Sequence, residues 1–185
     1  FPLLSLMLFE RRKVYKSYDC QNVMIKKSFI FLEKVGKRKE KSIWKQVKDW
    51  NEFLKSGSIK GIAKEKKRYY DRKINEAKEA LLKEDANYFV GKLPSVEMWR
   101  IYDYFKEECG YLDLEVDSNG KIILVGISDY YKSNFFVKGI NLSKEIIEKE
   151  LSKYKIIVTF NGSSFDLPKL KKLGTNIKIP HLDLK

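Results

Sequence analysis

Tyr111-Leu112-Asp113-Leu114-Glu115 reads as a β-strand: aliphatic residues fill it, and Gly110 and the Asp117-Ser118-Asn119-Gly120 turn bound it. Side chains alternate along a strand, so Asp113 and Glu115 share one face while Leu112, Leu114 and Val116 share the other. Two carboxylates two residues apart on a strand stand roughly 7 Å apart at their Cα atoms. Ionised side by side without a counter-charge, they raise each other's pKa. A hard divalent cation resolves that repulsion, and an all-oxygen donor set suits Mg²⁺ or Mn²⁺.

A third carboxylate follows about fifty residues on. Lys155-Ile156-Ile157-Val158-Thr159-Phe160 is a short apolar run ending in Asn161-Gly162-Ser163-Ser164, the pattern of a buried parallel strand entering a loop. Leu167 to Leu173 reads as a short helix with Pro168 near its start and Gly174 just past its end. Asp166 therefore falls where a strand hands over to a helix, at the carboxyl edge of a sheet, where α/β sites are usually built. Between the motifs, the pattern predicts strands over 110–116, 121–128 and 133–138, a helix over 143–152 and a strand over 155–160. An extended stretch over 177–184 closes the chain. Short turns make the first three strands an antiparallel meander, and the helical crossover adds a parallel strand. With the Asp113 strand central, Asp113 and Asp166 meet at one sheet edge.

Asp-x-Glu followed by Asn161-x-x-x-Phe165-Asp166 resembles the first two motifs of the DEDD exonucleases, and more closely those of the YprB-like group of predicted RNase H-like exonucleases. Asn141 to Glu145, Tyr154 to Leu170 and Pro180-His181-Leu182-Asp183-Leu184 carry the same likeness, which runs from about Ser28 to Lys185 and is specific over 109–184. The resemblance implies an α/β, RNase H-like mixed sheet preceded by a basic all-helical domain. It further implies a 3′→5′ exonuclease on single-stranded or frayed nucleic acid, with two metal ions in a complete site. One ion activates water and the other stabilises the leaving 3′ oxygen. Carried over, Asp113 bridges the ions, Glu115 holds the one that activates water, and Asp166 completes the second ion's shell. Asn161 fixes the loop or contacts the nucleic-acid backbone, and Phe165 anchors the helix start in the core. The fourth acid, with its Tyr or His partner, belongs to a later helix, so the domain is expected to be incomplete at its C-terminus. After Glu115 stand Val116-Asp117-Ser118 rather than Thr-Thr-Gly, which shortens the loop beside the scissile nucleotide.

The chain of 185 residues carries 38 Lys+Arg against 25 Asp+Glu, net +13. Residues 1–100 hold +12 of that and residues 101–185 only +1. A basic module beside a near-neutral one points to a polyanionic partner, DNA or RNA, bound in a salt-dependent way; a Lys/Glu-rich thermophilic composition is the plain alternative. The two cysteines, Cys20 and Cys109, have no metal-type spacing and imply a reducing cytoplasm. A lone histidine, His181, excludes His-rich zinc chemistry. No apolar run reaches membrane-spanning length, and no membrane partner, haem or nucleotide cofactor is called for. Residues 1–23 read as an upstream extension or arm before Met24, residues 24–92 as a basic helical domain, and 93–185 as the RNase H-like domain.

In the basic half, Val35-Gly36-Lys37-Arg38 precedes a single helix carrying Ile43, Trp44, Val47, Trp50, Phe53 and Leu54. That spacing predicts core packing for Trp44 and Trp50 rather than base stacking. The related family has a helix-hairpin-helix here, and its degenerate form would offer Gly36, Lys37 and Arg38 to phosphate, with Lys60 in a second such turn. Lys64 to Tyr70 reads as a solvated face of a helix running from 63 to 82. Ser95 reads as the N-cap of a helix through Met98, Ile101, Tyr102 and Phe105, whose tight join to the Asp113 strand implies that the two halves pack together. His181 and Asp183 are weaker candidates for base or ligand, with structural hydrogen bonding as the alternative. Lys169, Lys171 and Lys172 either steer phosphate or form the wet face of their helix. The competing functions are a metal-dependent nuclease, a nucleic-acid-binding protein with an inactive site, and an interaction module without metal.

Overall fold

A computed structural model describes residues 24–185, so the reading of residues 1–23, Cys20 included, lies outside the described residues. The sheet has five strands: β1 Cys109–Val116, β2 Ile122–Ser128, β3 Ser133–Val137, β4 Ile156–Thr159 and β5 His181–Asp183. Their order is β3-β2-β1-β4-β5, with β1–β2 and β2–β3 antiparallel and β1–β4 and β4–β5 parallel. This is the expected RNase H-like mixed sheet with β1 at its centre. Of the extended stretch over 177–184, only His181–Asp183 pairs as a strand.

The N-terminal half is helical: α1 Met24–Lys27, α2 Lys37–Trp44, α3 Trp50–Lys55 and α4 Lys64–Leu82. The single helix expected across 43–54 is broken in two. Asp49 accepts a hydrogen bond from the Glu52 amide (2.9 Å), capping a new helix, while Glu52 accepts from the Lys48 amide (2.8 Å). The break turns Trp50 inward, where its indole N–H donates to the Ser28 carbonyl. Trp44, expected in the core, is instead 37 % exposed, its indole donating to the Lys27 carbonyl. The Lys64–Tyr70 run is not wholly solvated either: Lys67 is buried against Asp71 (2.6 Å), and the Tyr70 hydroxyl donates to the Glu33 carbonyl.

Ser95 caps nothing. Ser95–Ile101 is a 3₁₀ helix that passes into the short α-helix α5, Tyr102–Phe105. Residues three apart eclipse one another in a 3₁₀ helix. That register stacks Met98 with Ile101 into the core and Glu97 with Arg100 into a buried polar cluster. Arg100 donates to Glu97 (2.7 Å), to Glu40 (2.9 Å) and to the Ser28 hydroxyl (2.9 Å). The same Glu40 oxygen accepts from the Phe29 and Ile30 amides.

The two halves pack together as their tight join implies. One hydrophobic core runs from Phe29, Trp50, Phe53 and Ile74 onto Cys109, Ile156, Val158 and Leu182 of the sheet. The other face of the sheet carries a second core, in which Leu112, Leu114, Val125 and Ile127 meet α6 Lys144–Leu151 and α7 Asp166–Leu173 through Ile147, Leu151 and Leu170. Cys109 is buried at the base of β1, where burial pushes its thiol up to about 12. The strip of β1, β2 and β3 bearing Asp113 remains open.

Candidate active site

Alternation along β1 leaves Asp113 and Glu115 exposed and Leu112 and Leu114 buried. Across the antiparallel pair, Asp113 faces Gly126, and Gly126 faces Phe135 on β3. The missing side chain at Gly126 helps to leave a depression of about 310 Å³ over the carboxylates, bordered by Tyr111, Leu124, Ser128 and Phe135. Tyr111 and Phe135 are 39 % and 59 % exposed, so both rings reach solvent in part. The Tyr111 hydroxyl bonds the Tyr102 hydroxyl at 2.7 Å, which braces the site strand against the helical half. The β1–β2 register shifts between Glu115 and Val116. Irregularities of this kind bend a strand and re-aim the side chain beside them.

Asp166 opens α7 and is only 2 % exposed. Its carboxyl is raised above the usual carboxylate range. Burial is the main cause, with the charges of Asp113 and Asp183 adding to it and the amides of Asp166 and Leu114 opposing it. Asp166 thus lies beside the Leu114 amide of β1, near enough to Asp113 to feel its charge. One Asp166 oxygen, Oδ1, is buried without a hydrogen-bond partner. Among the described residues no lysine or arginine forms an ion pair with Asp113, Glu115 or Asp166.

The groups able to hold a cation here are Asp113 and Asp166, with Glu115 two residues on along the Asp113 face. Among the described residues, no set of three or more His, Cys, Asp or Glu side chains is grouped to hold a metal by itself. The donor chemistry and the orphaned Asp166 oxygen fit a Mg²⁺-type ion, which is commonly held by one or two carboxylates and completes its shell with water and phosphate oxygens.

Other candidates lie elsewhere or serve the loop. Asn161 has a left-handed backbone (φ 60°), and its carbonyl accepts from the Ser164 and Phe165 amides. Phe165, expected in the core, is 37 % exposed; Leu167 packs inward in its place. Lys169 is neither a phosphate lure nor simply a wet face, because its ammonium donates to the Gly120 carbonyl (2.8 Å) in the β1–β2 turn. Lys171 and Lys172 are exposed. His181 and Asp183 lie on β5, hydrogen-bonded to Thr159 (2.7 Å) and to the Ser163 amide (2.9 Å) respectively. Gly36 is the N-cap of α2, with Lys37 paired to Glu97 (2.8 Å) and Arg38 exposed. The Lys60 amide and carbonyl are both held by the Gln46 side chain. Sequence reasoning missed Thr159, Gly126 and Phe135; a Thr entering an Asn-Gly turn was the one available signal.

The family model of the RNase H superfamily matches residues 110–185. That span runs from β1 through β5 and includes all three acids. The RNase H-like match ties this domain to nucleic-acid-related chemistry. Comparison with curated proteins finds no match. Among the described residues, no helix is long and apolar enough to cross a membrane.

Proposed function

We propose that the chain carries the catalytic face of a metal-dependent nuclease that removes nucleotides from the 3′ end of single-stranded or frayed nucleic acid. The observation that carries this reading is the buried Asp166 oxygen without a partner, on a carboxyl that opens α7 within reach of the charge of Asp113 on β1. Asp113, Glu115 and Asp166 are the residues assigned to hold Mg²⁺ or Mn²⁺. When bound, such an ion polarises a phosphodiester and lowers the pKa of water. The exposed rings of Tyr111 and Phe135 flank the carboxylates and offer stacking surfaces to unpaired bases, which favours a single strand as substrate. The basic half, with Lys37, Arg38 and Lys60 on its surface, grips phosphates without sequence preference. The likeness of the two acidic motifs to DEDD exonucleases supports the polarity.

A second reading, nucleic-acid binding without turnover, is favoured by the lack of a three-residue ligand group among the described residues. A 5′-labelled single-stranded oligonucleotide separates the two. Under the first reading, Mg²⁺ or Mn²⁺ yields a ladder shortening from the 3′ end, and Asp113→Asn lowers the rate by at least about 10²-fold. Retained binding with no shortening under either metal establishes the second.

A further inference from the structure

Two hydrogen-bond chains, one half-buried to buried and one exposed, run from β5 to the loop that delivers Asp166. In the first, the His181 ring Nε2 lies 2.7 Å from Thr159 Oγ1, and that hydroxyl accepts from the Gly162 amide at 3.1 Å. With Oγ1 accepting from the amide, the hydroxyl proton is free to go to the imidazole. Thr159 and Gly162 are so close that a Cβ at position 162 would lie 2.0 Å from Oγ1, so the turn closes only over glycine. In the second, Asp183 Oδ2 accepts from the Ser163 amide at 2.9 Å. Register places Asp183 beside Thr159 on the parallel strand, and the Leu184 amide bonds the Thr159 carbonyl at 2.9 Å. The loop then folds on itself: the Ser164 and Phe165 amides bond the Asn161 carbonyl, and the Leu167 amide bonds the Gly162 carbonyl. Asn161 is held in the left-handed region, where few side chains other than Asn are at ease.

This wiring does something that Asp166 itself cannot. Its Oδ1 is buried and has no hydrogen-bond partner to hold it in place. A carboxylate so placed tends to swing towards solvent unless the backbone beneath it is fixed.

We infer that β5 is a clamp, in which Asp183, through the Ser163 amide, and His181, through Thr159 and the Gly162 amide, are positioning residues that hold the Asp166 carboxylate against Asp113. Asp183 acts here as a hydrogen-bond acceptor and not as a fourth ligand. The inference rests on the metal reading above and deepens it. Partners that orient a liganding carboxylate are worth about 10–100-fold in metal affinity.

The test uses the full 185-residue chain and Mn²⁺ alone as probe, with affinity read by electron paramagnetic resonance and the Gly162 and Ser163 amides followed by NMR hydrogen exchange. Asp183→Ala and Thr159→Val are expected to speed exchange at Ser163 and Gly162 respectively and to weaken Mn²⁺ binding by about tenfold or more. Asp183→Asn keeps an acceptor oxygen without the charge and restores both, with a melting temperature confirming that each variant folds. Unchanged exchange and affinity in Asp183→Ala overturns the clamp. Equal loss of affinity in Asp183→Asn and Asp183→Ala overturns it too, because Asp183 then acts through its charge. Should the wild-type chain bind no Mn²⁺, the metal reading fails by itself. The clamp is then decided by the exchange rates and by whether the Asp166 carboxyl ¹³C resonance moves in Asp183→Ala and returns in Asp183→Asn.

Discussion

Asp166 is the residue at which stability and chemistry oppose each other. Its folded-state pKa is raised, so over the interval above the ordinary carboxylate range the folded protein keeps a proton that the unfolded chain has lost. Stability therefore falls as pH rises through that interval, and the loss is complete once the folded carboxyl has also ionised. Asp166→Asn removes the titration. Thermal melts should show the variant gaining on the order of 1 kcal/mol at neutral pH without the wild-type decline, while oligonucleotide shortening is lost. Added Mg²⁺ should raise the wild-type melting temperature and leave the variant's unchanged. The placement of Asp113 and Glu115 on one face of a strand, and of Asp166 where a helix opens, was legible in the sequence because strand alternation and a strand-to-helix handover are local patterns. The burial of Asp166 was not, since it depends on the β1 edge, about fifty residues away in the chain.

At the scale of elements, the strands were the legible part. Alternation gave β1, turn residues gave the meander, and Gly174, with φ 93°, marked the end of α7; Ser143, whose hydroxyl accepts from the Ile146 amide, proves to cap α6. The helical half resisted for a physical reason. Apolar residues at three- and four-residue spacing suit both one long helix and two helices split by a cap, and the Asp49-x-x-Glu52 pattern that decides between them was masked by that continuous spacing. Likewise, Met98 and Ile101, three residues apart, fit an α-helix or a 3₁₀ helix equally, so their spacing does not tell the two apart. Close packing of β1 makes one further expectation sharp. A Cβ at Gly110 would lie 2.7 Å from the Tyr154 ring, itself anchored by a hydroxyl bond to Asp129. Gly110→Ala should therefore destabilise the fold by about 1–3 kcal/mol in urea unfolding, the usual cost of overpacking.

For the molecule as a whole, a shared apolar core joins the helical half to the sheet, and a buried ionic hub ties the 3₁₀ helix that leads to β1 onto α2. Arg100 reaches across sixty residues of sequence to Glu40, with Glu97 on its other side. Removing the guanidinium leaves Glu40 buried without its counter-charge and Glu97 with Lys37 alone, so Arg100→Met should cost about 3–5 kcal/mol by chemical denaturation. Arg100→Lys should rescue little of it, because an ammonium cannot reproduce the planar fork that serves Glu97, Glu40 and Ser28 together. Beneath the same shared core lies Cys109, whose sulfur donates to the Phe105 carbonyl. Burial pushes its thiol up to about 12 and keeps it protonated, so the reactive sulfur anion is scarce at neutral pH. Maleimides and iodoacetamides will pass it by, so spin or fluorescent labels can be installed at engineered cysteines across residues 24–185 without first mutating this one.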